Sequence, residues 1–150
     1  MKVVIQRVSE AAVDISGERV SEIGHGLLVL LGVVPDDTSA DVDWLVKKTA
    51  QMRIFDDEAG VMNKSVIDVG GEVLVVSQFT LAASTKKGNR PSYIGAAGHE
   101  IAVPLYEEFC EKMSQAIGKT VGRGRFGADM QVSLINDGPV TIIVDSKNPV

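Results

Sequence analysis

Two short segments carry residue types at spacings that chemistry can use. Ser77-Gln78-Phe79-Thr80-Leu81 closes a valine-rich stretch. There it offers hydroxyls, a carboxamide and backbone N–H groups to whatever lies beyond a strand end. Its ordinary alternative is a strand whose polar positions face water. Asn136-Asp137-Gly138-Pro139-Val140-Thr141 lies between two apolar stretches. By residue type alone it reads as a hairpin turn.

The other candidate motifs fail on context. Gly122-Arg123-Gly124-Arg125-Phe126-Gly127 matches the dinucleotide fingerprint literally. That mechanism needs a strand before the glycines and a helix after them, and the order here is reversed. Ser84-Thr85-Lys86-Lys87 contains S-x-x-K but lacks the partner motifs of penicillin-binding enzymes. Gly118-Lys119-Thr120 lacks the upstream glycine of a Walker A loop. His25, His99 and Cys110 are the only imidazoles and thiol, with no C-x-x-C or H-E-x-x-H spacing, so metal chemistry is poorly supported; the one alternative is an all-carboxylate magnesium site, and Asp36-Asp37 and Asp56-Asp57-Glu58 read as solvated turns. Without G-x-S-x-G, a Ser-His-Asp triad has no support. An enzyme built this way lacks an imidazole base. Backbone dipoles, hydroxyls, water and the substrate's own groups remain.

The elements that must hold these segments follow from patterning. Val3–Val8 and Ala11–Ile15 read as two strands, with a turn at Ser16-Gly17-Glu18-Arg19 and a return strand at Val20–Ile23. Gly26–Val34 reads as a buried strand ended by Pro35-Asp36-Asp37. Thr38 caps a helix over 39–52, with Asp41 in its first turn and Val42, Leu45, Val46, Thr49 and Met52 on one face. Trp44 lies off that stripe, as if to cover an edge or an interface. Asp56-Asp57-Glu58-Ala59-Gly60 reads as a solvated turn, and Glu72–Leu81 as a strand. Residues 84–98 form a polar loop long enough to suggest function. Pro104 suits the first turn of a second helix carrying Leu105, Phe109, Met113 and Ile117 and ended by Gly118. Met130–Ile135 and Val140–Val144 read as the last strands. Strands outnumber helices and mostly join by short turns. The pattern predicts a compact α+β single domain over residues 1–150, with a largely antiparallel, barrel-like sheet and two main helices.

The 150 residues have ordinary globular usage, with 45% hydrophobic and 23% charged residues, which excludes a disordered chain or a disulfide scaffold. One cysteine allows no internal disulfide and fits a reducing, cytoplasmic setting. The longest apolar run is too short to span a membrane, and no signal-peptide pattern opens the chain. The net charge of −5 argues against general nucleic-acid binding. However, Lys86, Lys87 and Arg90, and again Lys119, Arg123 and Arg125, lie in acid-free stretches that would permit local phosphate contacts, although composition alone favours plain solvated loops.

Ser77-Gln78-Phe79-Thr80-Leu81 and Asn136-Asp137-Gly138-Pro139-Val140-Thr141 together resemble the paired signature motifs of the D-aminoacyl-tRNA deacylases. Ile5-Gln6-Arg7-Val8, Gly26–Val33, Arg53-Ile54-Phe55, Met62-Asn63, Arg90-Pro91-Ser92 and Phe126–Met130 also fit that family, so the likeness runs along nearly the whole chain. The resemblance implies a β-barrel-like fold with helices packed on it. It also implies a homodimer with active sites at the subunit interface. Gly138-Pro139 would be a cis peptide inserted into the partner's pocket, with Arg7 buttressing it. The implied reaction is hydrolysis of the ester joining a D-amino acid, or mischarged glycine, to the terminal adenosine of tRNA, a proofreading step. No cofactor, membrane or DNA partner is expected.

The same resemblance assigns roles. Ser77, Gln78, Phe79 and Thr80 would form the catalytic end, with backbone N–H groups around Phe79 and Thr80 as oxyanion donors. Thr80 is either a covalent nucleophile or an orienting group for an attacking water assisted by the ribose 2′-hydroxyl. The absence of an adjacent base favours water. Gln78 either contacts the adenosine or packs within its strand. Leu81, Ala82, Phe126 and Met130 would line the adenosine pocket, and Lys86, Lys87 and Arg90 would meet tRNA phosphates. The competing readings are an editing deacylase of different amino-acid preference and a non-catalytic tRNA-binding module.

Overall fold

A computed structural model describes residues 1–150, the whole chain. The first strand, β1 (Lys2–Ile15), is continuous. The sequence predicts a break at Ser9-Glu10. Instead these residues stay extended, and the change of buried face is absorbed as a register irregularity against another strand between Val8 and Glu10. Ser16 and Gly17, with φ of 51° and 80°, turn the chain into β2 (Glu18–Ile23). Positive φ at both central residues matches the right-handed twist of a two-residue hairpin.

β3 (Gly26–Gly32) leads to α1 (Ser39–Gln51). The helix begins as its sequence requires. Thr38 Oγ1 accepts from the Ala40 N–H at 3.3 Å, and the Asp41 carboxylate accepts from the Thr38 N–H at 2.9 Å. A small hairpin, β4 (Phe55–Asp56) and β5 (Met62–Lys64), precedes β6 (Glu72–Ser77). Then come α2 (His99–Ile117), β7 (Gly122–Arg123) and β8 (Gln131–Asp145). Helix α2 starts about a turn earlier than Pro104 suggests, so the proline sits inside it. The missing N–H there costs a helical bond. Burial of Ala102, Tyr106, Phe109, Cys110 and Met113 along the same helix offsets that cost.

β1 is paired along both edges. One edge meets β8 antiparallel, from Lys2 opposite Asp145 to Asp14 opposite Gln131. The other meets β3 over Lys2–Val8 and β2 over Ala11–Ile15. The antiparallel expectation holds around β1 but not beyond it, because β3–β6 and β6–β7 are parallel. Parallel neighbours need a long crossover, and α1 with the small hairpin supplies it between β3 and β6. The sheet is mixed and barrel-like, within an α+β fold.

Both faces of β3 and β6 are buried, which explains their unbroken apolar runs. Leu27, Val29, Leu31, Val73 and Val75 pack against the helices. Leu28, Leu74 and Val76 pack with Val8, Ala11, Val13 and Ile23 inside the curled sheet. The two chain ends meet over α1: the Met1 ammonium is buried against Asp37, and Ser146 and Lys147 reach Asp41 at 2.7 and 3.2 Å. No helix is long and apolar enough to cross a membrane.

Burial of Asp41 opposes its ionisation. Hydrogen bonds from Ser146, Thr38 and Lys147 outweigh it and hold the carboxyl at about 2. A depressed carboxylate stabilises the fold above its unfolded pKa of about 3.9, and that contribution is lost as pH falls through the folded value. Asp41→Asn should therefore lower stability at pH 7 by about 2 kcal/mol, the scale set by a carboxyl held nearly two units below its unfolded value. In urea titrations the gap between variant and parent should narrow between pH 4 and pH 2.

Candidate active site

The strand predicted over Glu72–Leu81 stops at Ser77. Gln78 is still tied to the neighbouring strand, its N–H donating to Leu31 O at 2.8 Å. Phe79–Ala82 then wind into a 3-10 turn. Gly32 on β3 makes the room: a Cβ there would stand 3.0 Å from Leu81 Cβ and 3.1 Å from Gln78 O. Within the turn, Leu81 N–H donates to Gln78 O and Ala83 N–H to Thr80 O. Those bonds leave the N–H groups of Phe79 and Thr80 unspent, as at the start of any helix. Two adjacent free donors at a rigid strand end make a ready site for an oxyanion. Gln78 Nε2 donates to Thr80 Oγ1, so the threonine hydroxyl is held by an amide, which cannot take up a proton.

Beside the turn opens a cleft of about 610 Å³. Ser77, Gln78, Phe79, Phe126 and Met130 line it, so the structure brings these sequence-predicted residues together. Thr80, one residue past Phe79, does not line it, and Leu81 and Ala82 lie elsewhere. They line a separate cavity of about 200 Å³ with Gly32 and Met1. A 3-10 turn has three residues per turn, so it carries side chains around to the other side where a strand would alternate them. Sequence reasoning missed Tyr93 and His99 in the cleft. Tyr93 was signalled only as an aromatic in a polar loop, and His99 reads as a loop residue but opens α2. Phe126 is fixed edge-on between His99 and Tyr106, with ring centroids 5.1 and 5.9 Å away. Another groove, of about 630 Å³, lies between α1 and β8 under Trp44, and neither motif reaches it.

The second motif is not a hairpin turn. Residues 131–145 form one strand, and the motif is an outward bulge within it. On β1, Gln6 faces Thr141 and Val8 faces Asn136. A step of two residues on one strand thus matches a step of five on the other, and Asp137-Gly138-Pro139-Val140 carry the excess. The Gly138-Pro139 peptide is cis, both residues are exposed, and Gly138 has φ of 145°. Asn136 closes the base: its Oδ1 accepts from Val140 N–H at 2.8 Å and its Nδ2 donates to Thr141 Oγ1 at 3.0 Å. Opposite the bulge, Arg7 is 8% exposed. Its Nε donates to Asp137 O at 2.8 Å and its Nη1 to Ile54 O at 2.7 Å. Asp56 Oδ1 lies 3.5 Å from Nη1, so this residue of the expected solvated turn also pairs with Arg7.

Within one chain the two motifs stay apart. Ser77 is level with Leu31, and Leu31 with Val3, whereas the bulge lies at the level of Arg7. Four residues along β1 amount to roughly 13 Å. Lys86, Lys87 and Arg90 are exposed on the loop beyond the 3-10 turn. The glycines of the fingerprint-like segment serve packing: Gly124 leaves space for Met130, and Gly122 for Ser21 and Leu74. Burial pushes the Cys110 thiol up to about 11 and the Tyr106 phenol well above its ordinary value, so neither ionises near neutrality. No group of three His, Cys, Asp or Glu side chains gathers as metal ligands.

Comparison with known proteins assigns the class. The sequence model of the family described as D-Tyr-tRNA(Tyr) deacylase matches residues 4–145. A protein of Bacteroides thetaiotaomicron named D-aminoacyl-tRNA deacylase is 62% identical over 148 residues, covering 99% of each chain. One of the same name from Chromobacterium violaceum is 60% identical over 149 residues, again covering 99% of each. Among solved structures, a c-Myc DNA unwinding element binding protein superposes with a TM-score of 0.91 at 43% identity, covering 97% of this chain and 99% of that one. A probable eukaryotic D-amino acid tRNA deacylase shares the fold, with a TM-score of 0.82 at 18% identity over 95% of this chain and 97% of that one. The chain belongs to the D-aminoacyl-tRNA deacylase family.

Arg7 supplies the only donors recorded on the Asp137 and Ile54 carbonyls. Arg7→Met keeps the apolar stem but removes both charged hydrogen bonds. Unfolding free energy should fall by about 2–3 kcal/mol, the range for bonds to a charged group. Hydrogen exchange at Val140 N–H should quicken more than at Val29 in the core.

Proposed function

We propose that the chain hydrolyses the ester between a D-amino acid, or glycine, and the terminal adenosine ribose of tRNA, working in the cytoplasm as a homodimer. The observation that carries this reading is the pair of unspent N–H groups on Phe79 and Thr80, opening beside an apolar cleft. Water attacks the ester carbonyl, and its proton passes by way of the ribose 2′-hydroxyl. The two N–H groups hold the negative charge that develops on the carbonyl oxygen. Collapse breaks the bond to the 3′-oxygen, which takes the proton, releasing free amino acid and free tRNA. Thr80 orients the reacting groups and forms no covalent bond, because its only side-chain partner is the Gln78 amide. Gln78, Ser77, Phe126 and Met130 face the aminoacyl-adenosine.

Chirality is read by shape. The Gly138-Pro139 bulge projects from the chain, braced by Arg7, and lies too far from Thr80 to complete the site of its own subunit. A second copy would present it where an L side chain points, rejecting L esters by a clash. Glycine has no side chain to clash and passes. Lys86, Lys87 and Arg90 meet phosphates of the tRNA.

Amino-acid release from D-Tyr-tRNA, Gly-tRNA and L-Tyr-tRNA tests this. The first two should be cleaved and the third spared, and replacing Gly138 and Pro139 by alanine should erase the distinction or the activity. Failure to cleave any of the three would leave a tRNA-binding module as the better reading. Quenched reactions should trap no acyl group on Thr80; a trapped acyl-threonine would make it the nucleophile. Reversing Lys86 and Lys87 to glutamate should weaken action on tRNA roughly tenfold, an effect that shrinks in high salt. A D-aminoacyl-adenosine substrate should hardly notice the change.

A further inference from the structure

The cleft ends in a rim of aromatic side chains that the main-chain donors of Phe79 and Thr80 leave free for binding. Tyr93 stands there, 42% exposed, and Phe79, 54% exposed, meets it edge-on with ring centroids 5.2 Å apart. Tyr93 is held firmly for a loop residue. Ser84 and Ser92 exchange both backbone hydrogen bonds, at 2.8 and 2.9 Å, directly before it, and Ala96 N–H closes a turn onto its carbonyl at 3.0 Å. The same pairing closes off the loop tip that carries Lys86, Lys87 and Arg90. No acid occurs between Glu72 and Glu100 in a chain of net charge −5. None of these three cations is in an ion pair.

An exposed, braced ring between an apolar cleft and a cationic tip suits an unpaired nucleotide, whose base stacks while its phosphate meets the cations. A second copy of the chain fits worse. A symmetric contact centred on Tyr93 would bring the two cationic tips together. Resting on the deacylase reading above, we infer that Tyr93, supported by Phe79, is the stacking platform for the base immediately 5′ of the terminal adenosine. The enzyme then recognises an RNA end of at least two nucleotides, and Tyr93 is a binding residue outside the reacting centre.

The test compares one D-amino acid esterified to adenosine alone, to an adenosine-terminated dinucleotide and to intact tRNA. In the parent protein, kcat/KM should rise about tenfold or more from the mononucleoside to the dinucleotide. Tyr93→Ala should lower kcat/KM on the dinucleotide and the tRNA by about 5- to 100-fold, mainly through KM. On the mononucleoside the loss should be at least about fivefold smaller than on the dinucleotide, an unchanged circular-dichroism melt should show that the variant is folded, and Tyr93→Phe should restore the parent values on all three. Equal loss on all three substrates, no loss on any, or a shift to half the native mass by light scattering would overturn the inference. The last result would make the rim a subunit contact. A parent protein that cleaves all three esters equally well sinks the inference alone, whereas one that cleaves none sinks the deacylase reading and the inference with it.

Discussion

The strand β1 is hydrogen-bonded along both edges, and most of the molecule is arranged around that fact. Its backbone groups are committed to β8 on one side and to β3 and β2 on the other, and a buried ladder cannot leave such groups unpaired. Excess chain on β8 therefore has nowhere to go but outward. The five-residue step opposite Gln6 and Val8 becomes a projection, not a gap in the sheet. The same constraint fixes what faces the projection. Val3 and Ile5 are buried on one face of β1, and two residues further on that alternation places Arg7. A charged side chain in an apolar series is costly unless its donors are satisfied. The Asp137 and Ile54 carbonyls accept two of its N–H groups and the Asp56 carboxylate lies 3.5 Å from Nη1, and the bulge gains a rigid support in return.

Charge is divided in a similar way. Several cations of this acidic chain are spent internally. The Met1 ammonium is buried on Asp37, and Lys147 lies among Asp36, Asp37 and Asp41, so both ends of the chain are bound to the start of α1. Lys112 joins the two helices through Asp43. Lys86, Lys87 and Arg90 remain uncommitted, and they stand on the loop that borders the cleft. A molecule that repels polyanions over most of its surface can still accept one along a single path.

Much of this was legible from residue order, and the misreadings share a cause. Thr38, Asp41 and the Val42-Leu45-Val46-Thr49 stripe specify α1 by themselves, because capping and amphipathicity are local. The apolar runs of β3 and β6 announce strands buried on both faces. Ser77–Leu81 and Asn136–Thr141 were recognisable as motifs, but their shapes were not. The first looks like continued strand because Phe79, Thr80 and Leu81 suit strands, while the turn there depends on the missing side chain of Gly32 in another strand. Leu81 and Ala82 consequently line a different cavity from Phe126 and Met130. The second holds every residue type of a turn, and only its pairing with β1 keeps it in one strand. Ser9-Glu10 misled for the same reason. Wherever a partner distant in sequence decides the backbone, local pattern names the residues but not their arrangement.

On the proposed mechanism the site uses its side chains sparingly in the chemistry. The Thr80 hydroxyl is held by an amide, and burial keeps the Cys110 thiol and the Tyr106 phenol protonated near neutrality. What the fold offers is fixed main chain: two N–H groups at the head of a 3-10 turn, and a rigid projection on another strand. Main-chain dipoles need no titration and little reorganisation when charge develops, which suits hydrolysis of an already activated ester. Such a site is specified indirectly. The residues that matter most are those that force the backbone to its place, namely Gly32 beneath the turn, and Asn136 and Arg7 around the bulge. On the proposed mechanism their side chains act through the main chain they position, which accounts for a sequence that offers Thr80 as a candidate nucleophile but no imidazole base beside it.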